Sequence, residues 1–303
     1  MTVLSFNRAS RLSRRSLLAG LALAAVALRP GIGRAQAAQR IVAAGGVITE
    51  ILYALGRQDL IVGVDTTSLH PPEAMRDKAN VGYVRALSAE GVLSLRPTVL
   101  VAIEGAGPPD TVKLIAEAGV KVERVGEDTS EKGVVERIRV IGRLAGVEAK
   151  AEELAAAVER DFALLKQQRD AVTAKKRVLF VLSLQNGRAI VGGKGSSADA
   201  IIAHAGAINA AEAVEGYKPV TDEGIISAAP DVILMMQRGN HAAAPAEVFA
   251  LPAFSATPAA ARKALVTMDG LYLLGFGPRT PEAARDLMAA VYGLNGDSGS
   301  RRP

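Results

Sequence analysis

Residues 87–101 read LSAEGVLSLRPTVLV, and residues 220–234 read VTDEGIISAAPDVIL. Aligned at an offset of 133, the two stretches share Glu, Gly, Ser, Pro and Val, and their other apolar positions agree in kind. Each stretch has the pattern of a capped helix start, a short helix, a proline and a strand. The shared order indicates an internal repeat, which predicts two similar lobes.

Strand-like and helical segments alternate around both copies. The strand-like segments are IVAAGG (41–46), LIVGVD (60–65), TVLVAIEG (98–105), VKVERVG (120–126) and RVLFVLSL (177–184), and helical patterns such as DTVKLIAEAG (110–119) lie between them. This alternation is typical of parallel sheets with helices on both faces. We therefore predict an α/β protein of two lobes, each a parallel-type sheet with flanking helices.

Residues 148–172 predict one long amphipathic helix, because they contain neither glycine nor proline and place Leu154, Val158, Phe162 and Leu165 at helical spacing. This helix would join the two lobes. The predicted boundaries are an N-terminal lobe at 38–146, an interlobe helix at 147–175, a C-terminal lobe at 176–294 and a disordered tail at 295–303.

The first 37 residues have the pattern of a cleaved secretory signal. Six arginines and no acid or lysine accompany the apolar run LLAGLALAAVAL (17–28), and small residues follow at 35–37. The run is shorter than the roughly 20 residues of a membrane span. Residues 13–18, SRRSLL, also resemble a twin-arginine signal, although paired arginines occur in ordinary signals too.

Removal of this segment changes the charge of the chain from +5 to about −1, since the six arginines leave with it. The basic character is therefore not a nucleic-acid footprint, and no nucleic-acid partner is expected. The chain has no cysteine, which excludes disulfides, thiolate chemistry and a cysteine-linked lipid anchor. We expect a soluble protein in the periplasm.

Glu90 and Glu223 occupy the same position in the two copies, two residues after the N-cap residues Ser88 and Thr221. An acid in the first turn interacts favourably with the helix dipole, by about 0.3–1 kcal/mol, and this explains both residues structurally. The duplication suggests a second role, because one exposed acid per lobe can dock on a two-fold symmetric partner. The sequence leaves both roles open.

Several loops of this pattern are expected at the carboxyl ends of strands, where open α/β sheets bind ligands. Their phenols, cations and aromatic rings suit a planar anionic ligand. These side chains are Tyr83, Arg85, Lys194, Tyr217, Lys218, Arg238, His241, Phe276 and Arg279.

The stretches AAGGVITEILYALG (43–56), VGYVRALSAEGVLSLRP (81–97) and GYKPVTDEGI (216–225) resemble the haem-binding component of ABC-type haem importers, within the cobalamin and siderophore binding-protein superfamily. The resemblance covers residues 39–293, and its haem-specific part is the string G-Y-x-R-x-L-S-x-E-G. It implies a periplasmic protein that binds haem b between its lobes. The haem would come from an outer-membrane receptor system and be delivered to the permease subunits of an ABC importer.

The resemblance also implies roles for individual residues. Tyr83 would be the axial ligand of ferric haem iron, which accepts a phenolate. Arg85, two residues later on an extended segment, would lie on the same side and favour the phenolate. Tyr217 would be a pocket wall or second contact, and Arg238 would pair with a haem propionate. The structural alternatives are a surface aromatic for Tyr83 and a solvated loop cation for Arg238.

The remaining expectations concern histidines and other functions. His241 is the candidate for an additional iron ligand, and His204 is expected to be structural.

A binding protein of the same fold for a ferric siderophore or corrinoid is the main alternative to a haem-binding protein. A secreted α/β enzyme is the weaker one, because GGKGSS (192–197) lacks the P-loop spacing and the chain contains no H-E-x-x-H motif.

Overall fold

The computed structural model describes residues 39–185, 188–237 and 244–293. The chain from Arg40 onward forms one compact unit. The predicted signal at 1–37 and the predicted tail at 295–303 lie outside the described residues, as do Arg238 and His241. Among the described residues, no helix has the length and apolar character needed to cross a membrane.

The N-terminal lobe is built on a five-stranded parallel sheet. Its strands, in spatial order, are β3 (Ala79–Asn80), β2 (Ile61–Val64), β1 (Ile41–Ala44), β6 (Val99–Ile103) and β7 (Lys121–Val125). All four residues of β1 are fully buried, as expected of a central strand that helices cover on both faces.

Helices flank this sheet, and a small hairpin lies beside it. The helices are α1 (Gly46–Ala54), α2 (Pro72–Asp77), α3 (Ala89–Ser94), α4 (Pro109–Glu117) and α5 (Glu131–Leu144), with a 3-10 turn at Gln58–Leu60. The hairpin consists of β4 (Gly82–Tyr83) and β5 (Ala86–Leu87), which pair only with each other.

The predicted interlobe helix is present as α6 (Glu148–Asp170), with 23 residues. At 1.5 Å per residue it is roughly 34 Å long. Its buried face includes Val158, Phe162 and Leu165, and it packs against α5 on one side. Phe162 belongs to an apolar core that contains side chains of both lobes, such as Ile51 and Phe180. The helix therefore belongs to the core of both lobes.

The C-terminal lobe contains a mixed six-stranded sheet. Its main path runs β11 (Tyr217–Val220), β9 (Arg188–Gly192), β8 (Arg177–Gln185), β12 (Val232–Gln237) and β13 (Leu265–Asp269), and β10 (Ile208–Asn209) pairs with the start of β8. Strands β8, β10, β12 and β13 pair in parallel, whereas β9 is antiparallel to both β8 and β11. The antiparallel edge distinguishes this sheet from that of the first lobe.

The helices of the second lobe include the counterpart of α3. They are α7 (Ser197–His204), α8 (Asp222–Ala228), α9 (Pro245–Phe249), α10 (Pro252–Ser255), α11 (Pro258–Arg262), α12 (Gly270–Leu274) and α13 (Thr280–Tyr292). Ser88 Oγ accepts a hydrogen bond from Gly91 N (3.0 Å) at the start of α3, and Thr221 Oγ1 accepts one from Gly224 N (3.2 Å) at the start of α8. Both helices lead into a parallel strand, which confirms the prediction of two similar lobes joined by a long helix.

Candidate functional site

Two side-chain contacts between a loop of one lobe and a helix of the other join the lobes. After β7, the carbonyl oxygen of Thr129 lies 3.0 Å from His204 Nε2 at the end of α7. After β13, Arg279 reaches Glu50 in α1. The loop after β7 and the segment before α13 therefore join the two lobes, and a ligand cleft at the carboxyl ends of the strands stays the prediction made from the sequence.

Tyr83 lies on the β4–β5 hairpin with 48% of its surface exposed. Its neighbours Val84 and Leu87 are buried and anchor the hairpin. Two backbone hydrogen bonds fasten them to the loop after β6: Leu87 N donates to Gly107 O (2.8 Å), and Gly107 N donates to Val84 O (2.9 Å). The phenol is thus presented by a fixed backbone.

The expected geometry of Arg85 is wrong. Tyr83 pairs with Ala86, so Val84 and Arg85 form the two-residue turn of the hairpin and do not extend the strand. The alternation that would place Tyr83 and Arg85 on one side does not apply in a turn. The guanidinium instead lies over Gly105, where an added Cβ would be 2.6 Å from Arg85 Nη1. Gly105 also has a φ of 73°, a conformation that disfavours a side chain there.

Arg85 lies among acids that the sequence analysis did not single out. Burial raises the pKa of the Glu127 carboxyl, Arg85 and Arg137 act to lower it, and Glu104 raises it further. Glu104 follows β6 and Glu127 follows β7, at the carboxyl ends of adjacent parallel strands. The signal in the sequence was that Glu104 lies near the end of the predicted strand 98–105 and that Glu127 directly follows the predicted strand 120–126.

Tyr217 is the first residue of β11 and is 39% exposed. Its hydroxyl lies 2.7 Å from Ser197 Oγ and accepts a hydrogen bond from Ala198 N (3.3 Å) at the start of α7. Its ring meets Phe180 edge-on, with the centroids 6.3 Å apart. These contacts fix the phenol at the edge of the second sheet and occupy its oxygen, which suits a wall better than an iron ligand.

The loop after β2 is organised by a buried carboxylate. Asp65 is fully buried, and its Oδ1 accepts a hydrogen bond from Gly45 N (2.8 Å) just before α1. Its Oδ2 accepts hydrogen bonds from Thr67 N (2.9 Å) and Thr67 Oγ1 (2.7 Å). The start of α1 and its dipole compensate the charge, so this cleft loop is held in one conformation.

His204 is buried, as expected for a structural residue, and its ring lies between those of Phe162 and Phe276. Phe276 is also buried, and Arg279 is paired with Glu50. Both were predicted to line the ligand cleft, and both instead contact other parts of the protein. Arg238 and His241 lie outside the described residues, and their predicted roles remain predictions.

Glu90 and Glu223 lie in the first turns of α3 and α8 and are exposed. Neither carboxylate forms an ion pair with another residue in the described part of the chain, so both are available to a partner. That part also contains no cluster of three or more His, Cys, Asp or Glu side chains placed to hold a metal ion.

The family model described as periplasmic binding protein matches residues 41–271. The chain belongs to this family. Among curated proteins, this periplasmic binding protein is 28% identical over 247 residues to the uncharacterized ABC transporter substrate-binding lipoprotein YvrC of Bacillus subtilis (strain 168), covering 80% of this chain and 77% of that one. It is 26% identical over 206 residues to the vitamin B12-binding protein of Salmonella typhi, covering 68% and 75% of the two chains.

Solved structures of periplasmic heme-binding proteins share its fold. The apo form of RhuT from Roseiflexus sp. RS-1 is 37% identical with a TM-score of 0.79, covering 84% of this chain and 98% of that one. BhuT in complex with two hemes is 36% identical with a TM-score of 0.78, covering 84% and 97%. This periplasmic binding protein is therefore an ABC-type substrate-binding protein of the group that includes haem and vitamin B12 binders, and its resemblance to the haem-binding members is confirmed.

Proposed function

We propose that this periplasmic binding protein binds haem b between its lobes and delivers it to an ABC importer. The observation that carries the proposal is Tyr83, a half-exposed phenol on an anchored hairpin at the cleft. The similarity to two heme-binding proteins at 36–37% identity supports the same ligand class. The cargo would be taken up in the periplasm after export of the protein and cleavage of its signal.

Tyr83 is the proposed axial ligand. Ferric haem iron binds phenolate oxygen, and iron itself supplies much of the driving force for deprotonation. A free tyrosine has a pKa near 10, so a nearby positive charge helps to populate the phenolate at neutral pH. Arg85 retains this role in the proposal. It acts from the hairpin turn through its charge, in the acidic surroundings of Glu127, and not as a strand neighbour.

The rest of the haem needs a wall and a partner for its propionates. Tyr217 is the proposed wall, because its ring is fixed against Phe180 and its hydroxyl is tied to the start of α7. Arg238 is the proposed propionate partner, since a guanidinium matches a carboxylate with two parallel hydrogen bonds. His241 stays a candidate for an additional iron ligand.

Delivery is proposed to use Glu90 and Glu223. An importer with two membrane subunits related by a two-fold axis offers two equivalent sites, and the two lobes present one unpaired acid each. We propose that the carboxylates meet basic side chains of the two permease subunits. The source of the haem is proposed to be an outer-membrane receptor system.

A corrinoid is the second candidate ligand, because the vitamin B12-binding relative covers 68% of this chain. A ferric siderophore would use the same fold. Neither ligand needs a phenolate at position 83, so Tyr83 favours haem. We propose no enzymatic activity, since the family and the similar structures are substrate-binding proteins.

A competition experiment tests the ligand class. The exported and processed protein is incubated with equimolar haemin, cyanocobalamin and a ferric siderophore, passed through a desalting column, and analysed by native mass spectrometry and absorbance. The expected result is retention of haem alone. Retention of the corrinoid or the siderophore in place of haem would overturn the assignment.

A further inference from the structure

The segment 275–279, between α12 and α13, contacts the first lobe at Glu50 and at Arg137. Arg279 lies at its end and forms an ion pair with Glu50 of α1, 229 residues away along the chain. Gly277 lies against Glu50 so closely that an added Cβ would be 3.2 Å from Glu50 Oε1. Phe276, one residue earlier, accepts a hydrogen bond from Arg137 of α5 through its carbonyl oxygen.

The Glu50–Arg279 pair has the geometry of a specific contact. Arg279 Nε donates to Glu50 Oε1 (2.9 Å) and Arg279 Nη2 donates to Oε2 (2.8 Å), so the pair is bidentate. The Glu50 side chain is only 6% exposed. The guanidinium also lies 5.0 Å from the ring centre of Tyr272, whose hydroxyl donates to Asp286 Oδ2 (2.9 Å). Tyr272, which belongs to the same lobe as Arg279, therefore helps to fix the position of the guanidinium.

Arg137 provides a second connection of a different kind. It is 4% exposed and donates to three backbone carbonyls: Gly126 O (2.9 Å), Asp128 O (3.0 Å) and Phe276 O. Gly126 and Asp128 belong to the cleft loop after β7, and Phe276 belongs to the other lobe. One buried guanidinium thus ties cleft-bordering loops of both lobes together.

The segment itself has little freedom. Phe276 has a φ of 51°, a conformation that a bulky residue adopts only when its surroundings enforce it. Thr280 Oγ1 donates to Gly277 O (2.8 Å) at the start of α13. A stiff segment that is fastened to the first lobe at two points transmits any shift of one lobe to the other.

We propose that residues 275–279 with Glu50 and Arg137 form an interlobe clamp, and that Glu50 and Arg279 are positioning residues for the cargo site. The clamp is a connection between the lobes additional to α6, and it sets the width of the empty cleft. A preformed cleft loses less conformational freedom when it binds its cargo, so the cargo dissociates more slowly. The consequence for haem release rests on the proposed function, whereas the mechanical role does not.

The mechanical role is tested without any ligand. Because the chain has no cysteine, Leu114→Cys on α4 and Ile226→Cys on α8 place one spin label on each lobe at exposed positions. The double variant Glu50→Gln/Arg279→Gln removes both charges and leaves no unpaired buried ion. We expect a narrow distribution of label distances in the otherwise unchanged protein and a broader or shifted one in the double variant.

Arg262→Gln is the matched control, since Arg262 pairs with Asp231 (2.9 Å) inside the second lobe and bridges nothing between lobes. It should leave the label distances unchanged. Arg279→Lys is a second variant that keeps the positive charge but cannot form the two parallel hydrogen bonds to Glu50. We expect it to fold well and to give a distribution of label distances between those of the unchanged protein and the double variant. A double variant whose distance distribution equals that of the unchanged protein would overturn the clamp.

The effect on release is measured by transfer of haem to excess apomyoglobin. The double variant should lose haem about tenfold faster, with an unchanged association rate and an unchanged Soret spectrum, because the iron ligand is intact. An unchanged dissociation rate would overturn the positioning role. If the unchanged protein binds no haem, the proposed function fails and the label distances still decide whether the clamp exists.

Discussion

Tyr83 is exposed, as are Arg85 and Ala86 on the same hairpin. Val81, Val84 and Leu87 are all buried at a spacing of three, and this spacing turns the hairpin so that Tyr83 faces outward. The motif around Tyr83 led to its prediction as a site residue, and this role stays a prediction. The turn at Arg85 was not predicted, because a short strand and a two-residue hairpin turn contain the same residue types. The signal that was overlooked is the three-residue spacing of Val81, Val84 and Leu87, since side chains on one face of a strand recur every two residues.

A single substitution tests the proposed role of Arg85. Arg85→Ala should weaken haem binding moderately and raise the pH of the spectral transition that reports formation of the phenolate, because the loss of a nearby positive charge disfavours the anion. The measurement is an absorbance titration of the haem complex against pH. Arg76→Ala removes an exposed arginine paired with Asp77 and serves as the control. A transition at the same or a lower pH would contradict the role.

Glu50 illustrates a contact that the sequence signalled but did not identify. It lies in α1, where all residues from 46 to 52 are buried, and a carboxylate in such a helix requires a partner. The partner is Arg279, and no local pattern connects two residues 229 positions apart. The ion pair could therefore be identified only in the structure, although the sequence indicated that the Glu50 carboxylate would need a partner.

At the level of elements, the repeat of α3–β6 and α8–β12 and the helix α6 were predictable, because capping residues and an unbroken amphipathic pattern are local signals. The antiparallel edge of the second sheet was not. The strand β9 follows β8 after a short connection, and strand direction is decided by the length of that connection and not by the residues within the strand.

The matching first turns of α3 and α8 lead to a prediction about delivery. Glu90→Lys with Glu223→Lys should leave haem affinity unchanged and lower transport by the importer in reconstituted vesicles, most clearly at low salt. Each exposed pair contributes about 0–1 kcal/mol, and a reversed charge adds repulsion. Glu148→Lys with Glu282→Lys reverses first-turn acids on α6 and α13 as a control. Normal transport by the Glu90→Lys/Glu223→Lys variant would show that these acids do not dock on the permease and only stabilise the starts of their helices.

At the level of the whole molecule, α6 and the apolar core around Phe162 join the two lobes continuously. Removal of such a side chain, as in Phe162→Ala, typically costs about 3–5 kcal/mol. We therefore expect small changes in lobe arrangement on binding, unlike the wide hinge closure of other binding proteins. Small-angle scattering with and without haem should give nearly equal radii of gyration. A large decrease on binding would show that the connection is not rigid.

The central claim, that Tyr83 binds the iron of a haem held in the cleft, is tested most directly by Soret titration of the processed protein and its Tyr83→Phe variant with haemin. Phenylalanine keeps the ring and the hairpin and removes only the oxygen. We predict saturable binding with a high-spin ferric phenolate spectrum in the unchanged protein, and weaker binding without that spectrum in the variant. The same spectrum and affinity in a folded Tyr83→Phe protein would contradict the account.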